Sequence, residues 1–437
     1  MIDQSTISRP RQDAGWRHDF RRFWFAQGAS VTGDQVREFA IPLIAISVLH
    51  VSAAELGILG AAQWLPFLLL SLPLGVLIDR HRRRRLLILS EVSRGLLTLG
   101  LVAAAATAAL QFPLLLVAVV ALGTFTVVYE VGYQSAIPSL VPREQLSGAN
   151  SRIQATAAAG EIGGPGLGGV LLQVFGMTMT LVVNAATYFL SAAALALMRS
   201  REPAPSKAER RFFIELRDGA RHVIRDPYLR ANVGFSAIYN PFAQWITLLL
   251  TLYAVQTLGF EPAQIGLIFS AGAVGALVGA AATSRLSARA GLGTTLVGCA
   301  AVECVALLAI PLVDASWSTA WAVAALAAAL AINGAGTALS SVLLITIRQL
   351  RTPDELLGRV NATMRCITYG TVSLGALAGG LVGERLGART GLVIGAVLCL
   401  STIVWVALSP LRRVKRLEEL ALDPPQPSAA QQPIGNA

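Results

Sequence analysis

Long apolar segments alternate with short polar breaks along the whole chain of 437 residues. A helix that crosses a bilayer needs about 20 mainly apolar residues. The chain contains twelve such segments, predicted at 24–50, 53–78, 86–109, 113–138, 149–174, 177–198, 231–257, 263–284, 291–312, 317–346, 355–383 and 390–410. The pattern therefore predicts an all-α membrane protein with twelve transmembrane helices.

Basic residues are concentrated in every second break. Of the 35 lysines and arginines, 30 fall in 1–23, 79–85, 139–152, 199–230, 285–290, 348–359 and 411–416. Loops that stay in the cytoplasm collect lysine and arginine. We therefore expect a multi-pass protein of the bacterial inner membrane, with both termini and the long middle loop in the cytoplasm.

Composition agrees with a membrane protein, since 54% of residues are hydrophobic and only 14% are charged. The mean hydropathy is +0.61 and the isoelectric point is about 10.1. Such a basic balance suggests nucleic-acid binding in a soluble protein. Here the basic residues lie at the ends of spans, so we expect them to contact anionic lipid headgroups and not nucleic acid.

An internal repeat organises the chain. Eight identities occur at a constant offset of 211 residues, pairing Pro142, Glu144, Leu146, Asn150, Gly164, Gly168, Gly169 and Gly176 with Pro353, Glu355, Leu357, Asn361, Gly375, Gly379, Gly380 and Gly387. Because six spans are an even number, both halves have the same orientation, which predicts a pseudo-two-fold axis along the membrane normal.

The repeat divides the chain into five parts. These are an N-terminal cytoplasmic arm at 1–23, a six-helix bundle at 24–198, a cytoplasmic connector at 199–230, a second six-helix bundle at 231–410 and a tail at 411–437. In the connector, Ser206 and Glu209 are spaced as a capping box, and apolar and basic residues then recur at helical spacing. This predicts an amphipathic helix on the inner leaflet, whereas the Pro-rich tail is predicted to be disordered.

The loop between the second and third spans contains Gly75, Asp79, Arg80 and then Arg82 to Arg85. This spacing resembles the signature loop of the major facilitator superfamily, and the resemblance extends over essentially the whole chain. In that superfamily the loop latches the cytoplasmic gate, which implies a gating role for Gly75, Asp79, Arg80 and Arg83. Arg82 stands where the superfamily has a second glycine.

The fifth span contains Gly160, Gly164, Pro165, Gly168 and Gly169. The set is similar to the Gly-x3-Gly-Pro-x2-Gly-Gly motif of antiporters in the same superfamily. Glycines four residues apart form a smooth helix face for close packing, and a proline inside a helix bends it. The resemblance implies a gating role for these residues and favours export.

The segment from Ala136 to Asn150 resembles a bacterial branch that exports drugs, siderophores and macrolides. The arginine motif that is usual in the fourth span of the superfamily is not evident. Glu130, Tyr133 and Gln134 occupy that stretch instead.

Charged residues inside the spans are costly and indicate function. Asp34 and Arg37, like Glu91 and Arg94, are spaced for i,i+3 pairing, which leaves Glu38 as an excess acid. A carboxylate in a cavity can exchange a proton as the cavity opens to either side, so we predict proton coupling at one or more of Asp34, Glu38, Glu130 and Glu161. For Glu303 we favour a structural role.

Polar and aromatic side chains within the spans are candidates for the wall of a substrate cavity. The predicted substrate-binding residues are Tyr133, Asn240, Gln244, Trp245 and Asn333, with Trp64, Asn184, Tyr239 and Tyr369 as further candidates. The Asn240-Pro241 pair predicts a bend in the seventh span.

No catalytic constellation is evident: there is no nucleotide-binding glycine loop, and the four histidines and four cysteines are scattered. We therefore predict a transporter and not an enzyme, with no metal and no cofactor, driven by the proton gradient. The predicted function is export of a small amphiphilic molecule by proton antiport and alternating access. An importer or uniporter, a lipid flippase, and a non-transporting sensor or accessory protein are the alternatives. The resemblance implies a monomer.

Overall fold

The computed structural model describes residues 15–79, 81–199 and 212–420, which form α-helices joined by short loops and 3-10 turns. The α-helices are α1 (Gly15–Ser47), α2 (Ala53–Asp79), α3 (Arg83–Ala106), α4 (Phe112–Leu140), α5 (Leu146–Ala196), α6 (Phe212–Arg225), α7 (Pro227–Gln256), α8 (Pro262–Ala290), α9 (Leu292–Leu308), α10 (Thr319–Leu350), α11 (Asp354–Leu386), α12 (Ala388–Cys399) and α13 (Ser401–Leu408). The predictions for Arg80, the arm before residue 15, the segment 200–211 and the tail after 420 lie outside the described residues. So do the side-chain surroundings of Gly75 and Asp79.

Within the described chain, nine segments are long and apolar enough to cross a membrane. One of them, α5, makes two crossings because Gly176 breaks it with a φ of 72°, a left-handed value that glycine adopts without steric cost. α12 and α13 form one crossing together. The more polar α1 and α7 bring the total to the predicted twelve.

The crossings form two bundles of six, as predicted. In the first bundle, α5 packs on α1 and α3, and α4 packs on α2 and α3; in the second, α10 packs on α8 and α9, and α11 packs on α7. Gly387, the repeat partner of Gly176, also has a positive φ, 83°, and separates α11 from α12. The repeat therefore describes structurally equivalent helices.

The described structure differs from the predicted boundaries at two places. α1 begins at Gly15, before the predicted limit of 24, because Phe20 and Phe23 are buried against α4 and α5 and extend the packed helix. The first part of the predicted tail is also ordered. The backbone amides of Leu292 and Gly293 donate to the carbonyls of Lys415 and Val414, which ties this segment to the start of α9.

The connector helix α6 packs on protein at Val223, while the neighbouring Ile224 is 64% exposed and the side chains of residues 212–216 lie outside the described part of the chain. Val223 is buried in a small cluster with Leu229, Val360 and Met364, so α6 is attached to α11 and to the start of α7. Asp226 caps α7 and also accepts two hydrogen bonds from Arg351, at 2.6 and 2.9 Å. The described part of the connector thus belongs to the second bundle.

Candidate functional site

The two bundles meet through two pairs of helices, α2 with α11 and α5 with α8. We call the side of the molecule that carries loops 79–85, 139–152 and 348–359 the basic face, and the other side the opposite face. α2 and α8 begin at the opposite face. The first turn of α2 packs against the last turns of α11, and the first turn of α8 packs against the part of α5 that precedes the break at Gly176. The bundles are therefore in close contact near the opposite face.

Glycines make these contacts possible. A Cβ atom at Gly380 of α11 would lie 2.6 Å from the carbonyl oxygen of Ala53 and 2.7 Å from the Cα of Gly57 in α2. A Cβ atom at Gly169 of α5 would lie 2.5 Å from the carbonyl oxygen of Pro262 in α8. These separations are too short for any real side chain, so only glycine permits this backbone-to-backbone approach.

The glycine motif of α5 forms two packing surfaces. Gly160, Gly164 and Gly168 face α1, where they meet Val31, Gln35 and Phe39. The neighbouring residues Pro165 and Gly169 face α8 of the other bundle. One face joins α5 to its own bundle and the other forms the contact between bundles.

The second bundle repeats this arrangement. Gly375 and Gly379 of α11 face Pro241 and Trp245 of α7, while Gly380 faces α2. Two hydrogen bonds cross between the bundles near the same face. The Ala54 amide donates to Glu384 at 3.2 Å, and the Ala263 amide donates to Gln173 at 3.1 Å.

We expect Gly380→Val to separate the two bundles at the opposite face, because its side chain would overlap the backbone of α2. The measurement is the yield of a disulfide between Ala54→Cys and Glu384→Cys in a Cys366→Ser background, which we expect to fall several-fold. Gly100→Val is the matched control, since a Cβ there meets no atom within 4 Å. An unchanged yield in Gly380→Val would contradict this account of the contact.

A buried charge cluster lies inside the first bundle. Arg94 of α3 donates to both carboxylate oxygens of Asp34, at 2.8 and 3.1 Å, and lies 2.9 Å from Glu91. Its guanidinium is sandwiched between the rings of Tyr129 and Tyr188, with 4.6 and 4.5 Å to the two centroids. Arg94 is fully buried, so its charge is compensated entirely by these neighbours.

Asp34 is held from several sides. Besides Arg94, it accepts a hydrogen bond of 2.8 Å from the Tyr188 hydroxyl and lies 3.3 Å from Arg37. Glu91 accepts a hydrogen bond of 2.8 Å from Ser191. The pairs predicted from i,i+3 spacing are both present, but Arg94 joins them into one network.

Glu38 is the least compensated acid of the cluster. Its carboxylate lies 3.8 Å from Arg37, which is closer to Asp34, and its side chain remains 35% exposed. The three acids Asp34, Glu38 and Glu91 face two arginines, so one negative charge is in excess. Position and exposure assign that excess to Glu38.

A central cavity of about 240 Å³ lies between the bundles, toward the opposite face. Its wall is mainly apolar and aromatic, with amides from Gln35, Gln63 and Gln244. Among the described residues of the wall, Glu38 is the one ionisable side chain. Pro165 also lines it, so the bend residue of the glycine motif borders the cavity.

The other residues predicted for proton coupling are not among the described residues that line this cavity. Glu130 of α4 is half-buried and within electrostatic range of Arg365 in the other bundle. Glu161 is exposed on α5, and both acids act electrostatically on Glu38.

Of the five residues predicted to bind substrate, Gln244 lines the cavity. Trp245 is buried and donates to the carbonyl of Gly391, while Asn333 donates to the Tyr239 hydroxyl and to the carbonyl of Glu303. Tyr133 stacks on Phe23 in the core of the first bundle, and Asn240 is half-buried on α7. In the predicted latch loop, Arg83 donates to the Ser135 carbonyl at 2.7 Å, within its own bundle.

Several residues of the site were not among the predicted ones. Gln35 lies one helical turn before Glu38, and that spacing could have indicated a wall residue. Gln63 is a polar residue within a span, directly before the candidate Trp64, and this position could also have indicated a wall residue. Tyr188 gave no such signal, since its partner Asp34 is 154 residues away along the chain.

Comparisons with known proteins agree with this architecture. A family model described as a transmembrane secretion effector matches residues 14–434. The enterobactin exporter EntS of Salmonella typhimurium is 29% identical over 353 residues, which are 78% of this chain and 81% of that protein. A bacterial homologue of the human lysosomal transporter Spinster, solved in an inward-facing and occupied conformation, matches with a TM-score of 0.70 at 14% identity, covering 95% of this chain and 100% of that one. The nucleoside transporter NupG matches with a TM-score of 0.70 at 13% identity, covering 89% and 98%.

Proposed function

The chain belongs to the transmembrane secretion effector family, in the exporter branch of the major facilitator superfamily, and from this premise we propose that it exports a small amphiphilic molecule in exchange for protons. It is a multi-pass inner-membrane transporter and not an enzyme. The observation that carries the coupling proposal is the central cavity, whose described wall contains one ionisable side chain, Glu38. Relatives named as enterobactin exporters support the outward direction.

Glu38 carries the proton in this mechanism. It is the acid in excess over the two arginines, and it faces the space in which a substrate would lie. Asp34 has a different role, since three groups hold its carboxylate. We assign Asp34 to anchoring α1 against α3 and α5.

Access to the cavity alternates by rocking of the two bundles. The glycine contacts of Gly57 with Gly380, and of Gly169 with Pro262, close the opposite face, and they involve backbone and not long interlocking side chains. Because these contacts have no interlocking side chains, the two bundles can move apart as rigid bodies without repacking inside either bundle. Pro165 and Gly169 take the gating role that the motif implies.

The basic face lies in the cytoplasm in this proposal, with both termini on that side, because the lysines and arginines there would be retained by the positive-inside rule. Its basic residues would contact anionic lipid headgroups. The protein works without a cofactor, using the proton gradient.

The test is substrate-induced proton efflux from inside-out vesicles with an acidic lumen, followed with a lumenal pH dye. The compounds are siderophores including enterobactin, macrolides and lipophilic cations. We expect at least one compound to raise the lumenal pH in vesicles that contain the protein and not in vesicles without it. No response to any compound from folded protein would contradict the proposal, and substrate movement in the opposite direction would favour the importer.

A further inference from the structure

We propose that the central cavity takes a cationic amphiphile, with Glu38 binding the cationic group and the aromatic wall binding its apolar body. This deepens the proposed function and rests on it. The cavity wall carries a net negative charge when Glu38 is ionised. Among the described wall residues there is a carboxylate and no basic side chain. A monocation would balance the excess charge of Glu38, whereas an anion would add to it.

The charged groups around Glu38 also favour a cationic ligand over an anionic one. Arg37 is shared with Asp34, and Asp34 itself is bound by Arg94, so neither arginine is available to an anionic ligand. Glu130 and Glu161 also act on Glu38 as like charges. Arg365 belongs to the second bundle and acts on Glu130.

The aromatic wall residue Trp64, with the rings packed on it, supplies the second half of the site. Trp64 lines the cavity and stacks on Tyr369 of the other bundle, with 5.7 Å between centroids and 13° between planes. Phe67 lies 4.9 Å from the same tyrosine ring. The face of such a ring attracts an alkylammonium group electrostatically within about 6 Å of the ring centroid. A neutral alkyl group of the same shape lacks this cation–π attraction.

The apolar body of the ligand would lie against a second aromatic pair. Phe39 and Phe269 come from different bundles, pack edge to face at 6.1 Å, and both line the cavity. The volume of about 240 Å³ is just below the range of about 300–1,000 Å³ that is usual for drug-sized ligands. A compact aromatic ammonium ion therefore suits the cavity in this conformation.

Three ligands of nearly equal shape test the proposal: benzyltrimethylammonium, its neutral carbon isostere neopentylbenzene, and benzylsulfonate as the anion. Binding is measured by calorimetry on the full-length protein in nanodiscs, with empty nanodiscs to correct for partition into lipid. We expect the cation to bind about tenfold more tightly than either analogue. This preference should disappear in Glu38→Gln, weaken in Trp64→Ala and persist in the matched control Glu144→Gln, which lies in an exposed loop.

Equal or tighter binding of the neutral or anionic analogue would overturn the proposal, as would a full preference in Glu38→Gln. If no ligand of this set binds while enterobactin or a macrolide still drives proton efflux, the cation site is wrong and the proposed function stands. If the cation binds selectively but no compound drives proton efflux, the proton antiport is wrong and the cation site stands.

Discussion

Glu38→Gln is expected to reduce substrate-driven proton efflux to the level of vesicles without the protein. Glutamine preserves the size and hydrogen-bonding capacity of the side chain but binds no exchangeable proton. Since Glu38 is the one ionisable side chain in the described wall of the cavity, no other wall residue there can replace it. The measurement is the lumenal pH response to whichever compound is active on the unchanged protein.

Two further variants make this result specific. Glu38→Asp keeps an acid at the same place and should retain part of the response. Glu144→Gln removes the same charge from an exposed loop and should retain all of it. A full lumenal pH response in Glu38→Gln would contradict the assignment of proton coupling to Glu38 and shift that role to Glu130 or Glu161.

Arg94→Met is expected to destabilise the first bundle by about 3–5 kcal/mol, the usual cost of removing one partner from a buried ion pair. The substitution would leave Asp34 and Glu91 inside the bundle with one nearby arginine, Arg37, for both carboxylates and Glu38. It would also remove the cation that lies between Tyr129 and Tyr188. Stability is measured as the free energy of unfolding in a titration of purified protein with denaturant.

Arg365→Met is the control, because Arg365 is exposed on α11 and its loss should change the unfolding free energy little. The double variant Asp34→Asn with Arg94→Gln removes both charges of the 2.8 Å ion pair inside the cluster and should be less harmful than the sum of the two single changes. If Arg94→Met is as stable as Arg365→Met, the cluster does not hold the bundle together.

The position of the cavity explains why only some of the predicted substrate-binding residues line it. Gln244 and Trp245 are neighbours in sequence and equally plausible as wall residues. A helix turns by about 100° per residue, so the two side chains point in different directions. Gln244 faces the cavity, whereas Trp245 packs against Gly379 and donates to Gly391.

The sequence by itself determined the architecture. Span lengths follow from bilayer thickness, and the constant offset of 211 residues identified equivalent positions before any contact was known. It correctly paired Gly176 with Gly387 at the two corners, and Gly169 with Gly380 at the two contacts between bundles. The i,i+3 pairs Asp34–Arg37 and Glu91–Arg94 were also readable, because such neighbours are fixed by helix geometry alone.

Only the tertiary structure decided which faces meet. In a membrane protein, helices are apolar on the lipid side as well as on the packed side, so hydrophobic periodicity does not show which side chains turn inward. The bond of Asp34 to Arg94, 60 residues away, and to Tyr188, 154 residues away, depends on how three helices pack. The same holds for the cavity wall, where Glu38 and Gln244 come from different bundles and are brought together by the close glycine contacts between them.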